Sequence, residues 1–159
     1  TLHTNSAPET ITRLLDMGMD PFNFADAMLG IVAQRLARTI CPQCKEKYHP
    51  PKAEYDALSY GYGDEAFAQL GIPYNDSFML TRGKGCEACR QSGYKGRVGL
   101  HELLMGTAEF KSRLYAKASV SELQQLATAQ GMTSLLQDGI LKCLQGLTDY
   151  NQVRAVAIK

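Results

Sequence analysis

An excess of charge of either sign is missing from this sequence: 17 Lys and Arg stand against 16 Asp and Glu, a formal net charge of +1. Proteins built chiefly to coat nucleic acid carry a large positive excess that neutralises phosphates, so that class is disfavoured. No apolar run approaches the roughly 20 residues of a membrane-spanning helix, and no charged-then-apolar leader stands at the start. The phosphate loop GxxxxGK[ST], the HExxH helix and the GxSxG elbow are absent as well, and Gly83-Lys84-Gly85 is too short to imitate the first. These residues alone are therefore expected to run neither nucleotide chemistry nor hydrolysis. The chain opens on Thr1 rather than Met, in what reads as a strand end, and is taken as an excerpt of a longer protein.

What remains is an ordinary globular mixture, 45% hydrophobic and 21% charged, long enough to bury a core. Three segments are expected, 1–38, 39–104 and 105–159, in a mainly α (α+β) fold. In the first, Ser6 with Glu9 forms a capping box, Pro8 suits a first turn, and Gly18 ends a helix. Asp20 and Pro21 then start a second helix, predicted to run to about Arg38, with Ala25, Leu29, Val32 and Leu36 on one apolar face and Phe24, Met28 and Ile31 on another. Arg35, at the polar end of that helix, is a candidate for a phosphate or a neighbouring subunit, with a surface ion pair as the plainer alternative.

The middle segment holds short helices near Ala53–Ser59 and Glu65–Leu70 and strands at Phe78–Thr81 and Arg97–Leu104, punctuated by glycines. In the last, Ser119 with Glu122 makes another capping box and Gly131 closes the helix. Leu136, Ile140, Cys143, Leu144 and Leu147 then make a one-sided stripe, and a further helix follows from Thr148, so a small helical bundle is expected.

Four of the five cysteines fall into two pairs, Cys41-Pro42-Gln43-Cys44 and Cys86-Glu87-Ala88-Cys89. A two-residue gap lets both thiolates of a pair face one ion, and four cysteines make a closed structural zinc set with no position left for water. Gly85 eases a turn that aims amides at sulfur, and Lys45, Lys47, Lys84 and Arg90 offset the negative charge of such a centre. Disulfides or a redox pair are the alternatives, but the odd cysteine count and the absent leader favour reduced thiols in an intracellular protein. His49 and His101 are weaker substitutes as ligands, and Cys143 is expected in the core. The loop-rich middle segment lacks the apolar density to fold alone, which a metal would remedy. A zinc-ribbon module that binds nucleic acid or protein is the competing functional class, supported by Lys45, Lys47, Lys84, Arg90, Lys95 and Arg97 with Tyr48 and Tyr94 among them.

The opening Thr1-Leu2-His3-Thr4-Asn5 resembles the "His box" of the secretion ATPases, the motors of type II secretion and type IV pilus assembly. The likeness continues through Arg13–Gly18, Gln34-Arg35-Leu36, both cysteine pairs, Gly93-Tyr94-x-Gly96-Arg97-x-Gly99-x-His101-Glu102, Gly131-Met132, Asp138-Gly139 and Gly146-Leu147-Thr148, in the family's order. The resemblance implies a cytoplasmic, hexameric P-loop ATPase peripheral to the bacterial inner membrane, working with inner-membrane platform proteins and not with nucleic acid. It makes 1–38 the tail of a RecA-like ATPase domain, 39–104 a tetracysteine zinc subdomain and 105–159 a C-terminal helical region. It puts His3 beside the nucleotide, where an imidazole can sense a terminal phosphate. ATP and Mg2+ would be bound in the full-length protein only, because the family's phosphate loop, acidic magnesium-binding segments and catalytic glutamate precede the stretch matched by Thr1.

Overall fold

The computed structural model describes Thr4 and residues 6–157. Among these residues are eight α-helices and four strands, a mixed α/β fold. In chain order the first elements are α1 (Ala7–Asp16), α2 (Pro21–Ala27), β1 (Gly30–Ile40), β2 (Lys45–Tyr48), α3 (Lys52–Tyr62) and α4 (Asp64–Gln69). Then come β3 (Leu80–Gly83), β4 (Tyr94–Met105), α5 (Ala108–Tyr115), α6 (Val120–Ala129), α7 (Leu135–Leu144) and α8 (Tyr150–Ala157). The strands make two two-stranded sheets, β1 with β4 and β2 with β3. The chain divides into two compact units: the residues up to Gln34 with His101–Leu135, and Arg35–Leu100 with the residues from Leu136 on.

In the first unit, α1 begins where Ser6 accepts the Glu9 amide at 3.3 Å, and α2 where Asp20 accepts the Asn23 amide at 2.9 Å ahead of Pro21. Helix α1 packs on α6, α2 on α5, and α5 on α6. Ile11, Ala25, Phe110, Leu114, Leu104 and Leu123 form the core between them. Ser119 and Glu122 make the reciprocal capping box at the start of α6, as expected. Glu102 is only 3% exposed, and its Oε1 accepts the Ala7 amide at 2.7 Å, one of the first-turn donors that α1 cannot satisfy internally.

The helix expected to continue to Arg38 stops at Ala27, and its second half is strand β1. Leu29, Val32 and Leu36, assigned to a buried helical face, are 85%, 60% and 49% exposed. The apolar residues of this stretch satisfy both a 3.6-residue and a two-residue period, so spacing did not separate the two. Gly30 and the β-branched pair Ile31-Val32 favour the extended form. Gly30 also permits close strand approach, since a Cβ there would lie 2.8 Å from the Leu104 carbonyl oxygen.

In the second unit, β2 and β3 pair antiparallel with Lys45 opposite Gly83 and Tyr48 opposite Leu80. The expected strand at Phe78–Thr81 is displaced to Leu80–Gly83, β2 was not foreseen, and β4 is longer at both ends than Arg97–Leu104. Helices α3 and α4 stand where two short helices were expected, parted by Gly63 at φ 97°. Tyr55 packs edge-on against Phe67 at 5.4 Å and Phe78 at 5.1 Å. Leu58, Leu100, Ile140, Cys143 and Val153 are buried, so Ile140 and Cys143 of the expected stripe face a core, while Leu136 and Leu144 are half-buried and Leu147, beyond α7, is 42% exposed. Tyr48 donates to Glu54 at 2.5 Å, Tyr94 donates to Asp149, and Asp149 accepts the Gln152 amide at the start of α8. No helix among the described residues is long and apolar enough to cross a membrane.

Candidate metal centre

Cys41 and Cys44 lie in the turn between β1 and β2, which is short enough to hold both sulfurs together. Cys41 donates its amide to Gly93 O at 2.8 Å, and Cys44 O accepts the Lys84 amide at 3.1 Å, which ties this turn to the second one. Cys86 caps the start of a single 3-10 turn, Glu87–Cys89, and Cys89 ends it. After it Arg90 (φ 52°) and Gln91 (φ 62°) both take the left-handed conformation. This reversal is unfavourable for residues with a Cβ, and here it brings the Gly93 amide to 3.2 Å from Cys89 Sγ. The Cys86 amide donates to the same sulfur at 3.2 Å. Gly83 and Gly93 meet backbone to backbone, an approach that a side chain at either would block.

The four sulfurs lie within 4.8 Å of one another. Cys41 Sγ is 3.9 Å from Cys86 Sγ, Cys44 Sγ 3.9 Å from Cys89 Sγ, and Cys86 Sγ 3.7 Å from Cys89 Sγ. Four thiolates on a tetrahedron with metal–sulfur bonds of about 2.3 Å stand roughly 3.8 Å apart, so the donor set fits one ion. None of the five cysteines is in a disulfide.

Protonation of the cluster is uneven. Burial pushes the Cys89 thiol up, but the Cys86 and Gly93 amides, helped by the Cys86 and Cys44 thiols, outweigh it and bring it down to about 6. Burial pushes Cys44 up to about 12; the Gly85 amide opposes this, and the other three cysteines reinforce it. One sulfur is thus ready as a thiolate near neutral pH while another needs a cation to release its proton. Gly85, at φ 93°, supplies the turn expected of it.

Glu46, on β2, is held below the usual carboxylate range by Lys84 at 2.7 Å and Arg82 at 2.8 Å. His49 is not in the cluster: its Nδ1 lies 2.9 Å from Phe78 O, and its ring stacks on Tyr74. His101 is exposed on β4 and also stands outside the group. Cys143 is 3% exposed on α7, its thiol raised by burial and by Asp149 and Glu54, as a core cysteine should be. Arg35 is half-buried on β1, a strand position and not a helix end. His3 lies outside the described residues. Arg90 was expected near the sulfurs for its charge and not for its left-handed backbone, and Gly93 and Gln91 were not singled out for the sulfur site, although a glycine four residues after a CxxC pair is the kind of signal that marks a returning amide.

A tetracysteine cluster compatible with a metal site stands inside a mixed α/β fold. Residues 1–155 match the family described as "Type II/IV secretion system protein". The chain is 38% identical over 161 residues to "Type IV pilus assembly ATPase PilB" of Thermus thermophilus, covering 100% of this chain and 17% of that protein. It is 40% identical over 156 residues to "Type II secretion system protein E" of Pseudomonas aeruginosa, covering 98% of this chain and 28% of that one. A third relative, "Type II secretion system ATPase E" of Vibrio cholerae, is 35% identical over 156 residues, 98% of this chain and 28% of the relative. This chain belongs to the type II/IV secretion system protein family. It spans between about a sixth and somewhat over a quarter of the length of these relatives.

Proposed function

We propose that the chain is the C-terminal portion of a hexameric ATPase that powers type II protein secretion or type IV pilus assembly, and that Cys41, Cys44, Cys86 and Cys89 hold a structural Zn2+. The observation that carries the first part is the family match over residues 1–155, with relatives named as pilus-assembly and secretion ATPases. Sulfur separations of 3.7–3.9 Å support the second. Four thiolates suit zinc and leave it no open position for substrate, so the ion's contribution is to close the two turns on each other. The residues do the remainder: the Cys86 and Gly93 amides orient Cys89, and the glycine pair lets the two turns meet.

In this reading 1–38 is the tail of the RecA-like domain, 39–104 the zinc subdomain and 105–159 the helical region. The intact protein binds ATP and Mg2+, with His3 beside the nucleotide and sensing its terminal phosphate. It works at the cytoplasmic face of the inner membrane with platform proteins, and no nucleic acid is expected among its partners. Zinc is tested by elemental analysis with a chelator titration followed by circular dichroism: one zinc per chain, with structure lost on its removal, supports the site. No metal with all thiols free and the fold intact refutes it. In the full-length protein, His3→Ala is expected to lower hydrolysis at least tenfold while ATP still binds, and unchanged turnover would remove His3 from the mechanism.

A further inference from the structure

The cations of the second unit are unevenly placed. Residues 35–48 and 80–99, which carry the four cysteines, hold nine Lys and Arg and two acids, whereas residues 49–79 hold one Lys and five acids. One of the two acids, Glu46, is already engaged by Arg82 and Lys84. Lys45, Lys47, Arg90, Lys95 and Arg97 are all exposed, and among the described residues none of them is in an ion pair. A four-thiolate zinc centre has a formal charge of about −2, which offsets only part of this excess.

The fold gathers several of these cations. Pairing of Lys45 with Gly83 and of Lys47 with Thr81 puts both lysines on one face of the β2–β3 sheet, while Glu46, Tyr48 and Arg82 occupy the other. The neutralising ion pairs are thus on the face away from Lys45 and Lys47. Gly83, on the lysine face, touches the Gly93 backbone, from which the chain enters β4 at Tyr94-Lys95. Thr39 Oγ1 donates to Lys95 O at 2.6 Å, and the Arg38 guanidinium lies over the Tyr94 ring at 5.1 Å. One glycine–glycine contact therefore holds Arg38, Lys45, Lys47 and Lys95 in one region on a backbone pinned by the cysteines.

We propose that this cysteine-bearing lobe docks an extended acidic polypeptide segment, with Lys45, Lys47 and Lys95 as its anchors and Arg97, two residues further along β4, as an outer contact. Side chains on one face of a strand repeat every 6.6–6.8 Å or so, the same repeat that carboxylates at alternate residues of an extended segment present. A short acidic segment complements the lobe's charge without having to cover the acids of residues 49–79, of which Glu54 accepts from Tyr48 on the other face of the sheet. The proposal rests on the charge distribution and stands whether or not the chain is part of a motor.

The test uses the whole zinc-loaded chain and fluorescence anisotropy with a fluorescein-labelled peptide of six Glu-Thr repeats at low salt. Binding is expected to weaken at least tenfold in Lys45→Glu/Lys47→Glu and in Lys95→Glu/Arg97→Glu. It should change less than twofold in Arg13→Glu/Lys117→Glu, a pair of exposed cations in the first unit. If a charge-reversal variant loses its metal, the Lys→Gln and Arg→Gln versions decide, with an expected loss of about threefold. Unchanged binding in the site variants overturns the proposal. So does tighter binding of a thymidine oligonucleotide of equal charge, or of vesicles of one part phosphatidylglycerol to three of phosphatidylcholine.

Discussion

The two units hold themselves together differently. The first relies on helix packing and capping, and leaves Met17, Phe22, Leu29, Val32, Leu103 and Met105 exposed. The second buries Tyr62, Phe67 and Phe78, carries the cysteine cluster and links its elements through Tyr48–Glu54 and Tyr94–Asp149. Exposed apolar side chains remain available for a partner to cover, whereas a loop-rich region with few apolar residues needs a staple. The second unit also exposes Leu36, Tyr60, Met79 and Leu147, so the contrast lies in the kind of cohesion each unit has and not in which one exposes apolar side chains.

The largest expected effect comes from Cys86→Ala. Loss of one of four ligands should abolish tight metal binding and unfold the second unit, a cost of several kcal/mol given the large free energies of structural zinc sites. Amide exchange is the measurement: α3 and α7 lose protection while α6 keeps it. Equal loss in α6 would mean that the two units are one cooperative body and would break the comparison.

Glu102→Ala strikes the first unit instead. It leaves the buried Ala7 amide without its acceptor, and roughly 2–3 kcal/mol of stability should be lost. Urea unfolding followed by exchange at α1 would locate that loss, which should leave the metal content unchanged. Gly139→Ala returns to the second unit, where a new Cβ would press on Val153, a side chain too stiff to turn aside. Overpacking outweighs the better helix propensity of alanine, for a net loss of about 1–2 kcal/mol in thermal unfolding. Least of all is Lys52→Ala. The Lys52–Asp56 pair at 2.7 Å is exposed on both sides, so less than about 0.5 kcal/mol should follow, and a larger effect would show that α3 is more marginal than its packing implies.

Much of the cysteine cluster was legible in the sequence, because the spacing within each CxxC pair is local and two such pairs have few other uses. The caps at Ser6, Asp20 and Ser119 were legible for the same reason, since each is decided within three residues. The helix expected across residues 28–38 failed where a distant partner decided the outcome. Leu29 O accepts from Gly106 N, and Thr39 bonds to the Lys95 carbonyl, so β1 exists through a strand that lies far along the chain. Strand β2 was hidden likewise, its Lys-Glu-Lys-Tyr reading as a charged flank until β3 is placed beside it.

By itself, then, the sequence determined the two CxxC pairs, the helix starts at Ser6, Asp20 and Ser119 and the family, all of which depend on residue identity and short spacing. Tertiary structure alone decided that two cysteine pairs 45 residues apart meet, that Gly83 and Gly93 touch, and that Lys45 and Lys47 share a face away from Glu46. Those outcomes depend on loop closure and strand register, which no window along the chain contains.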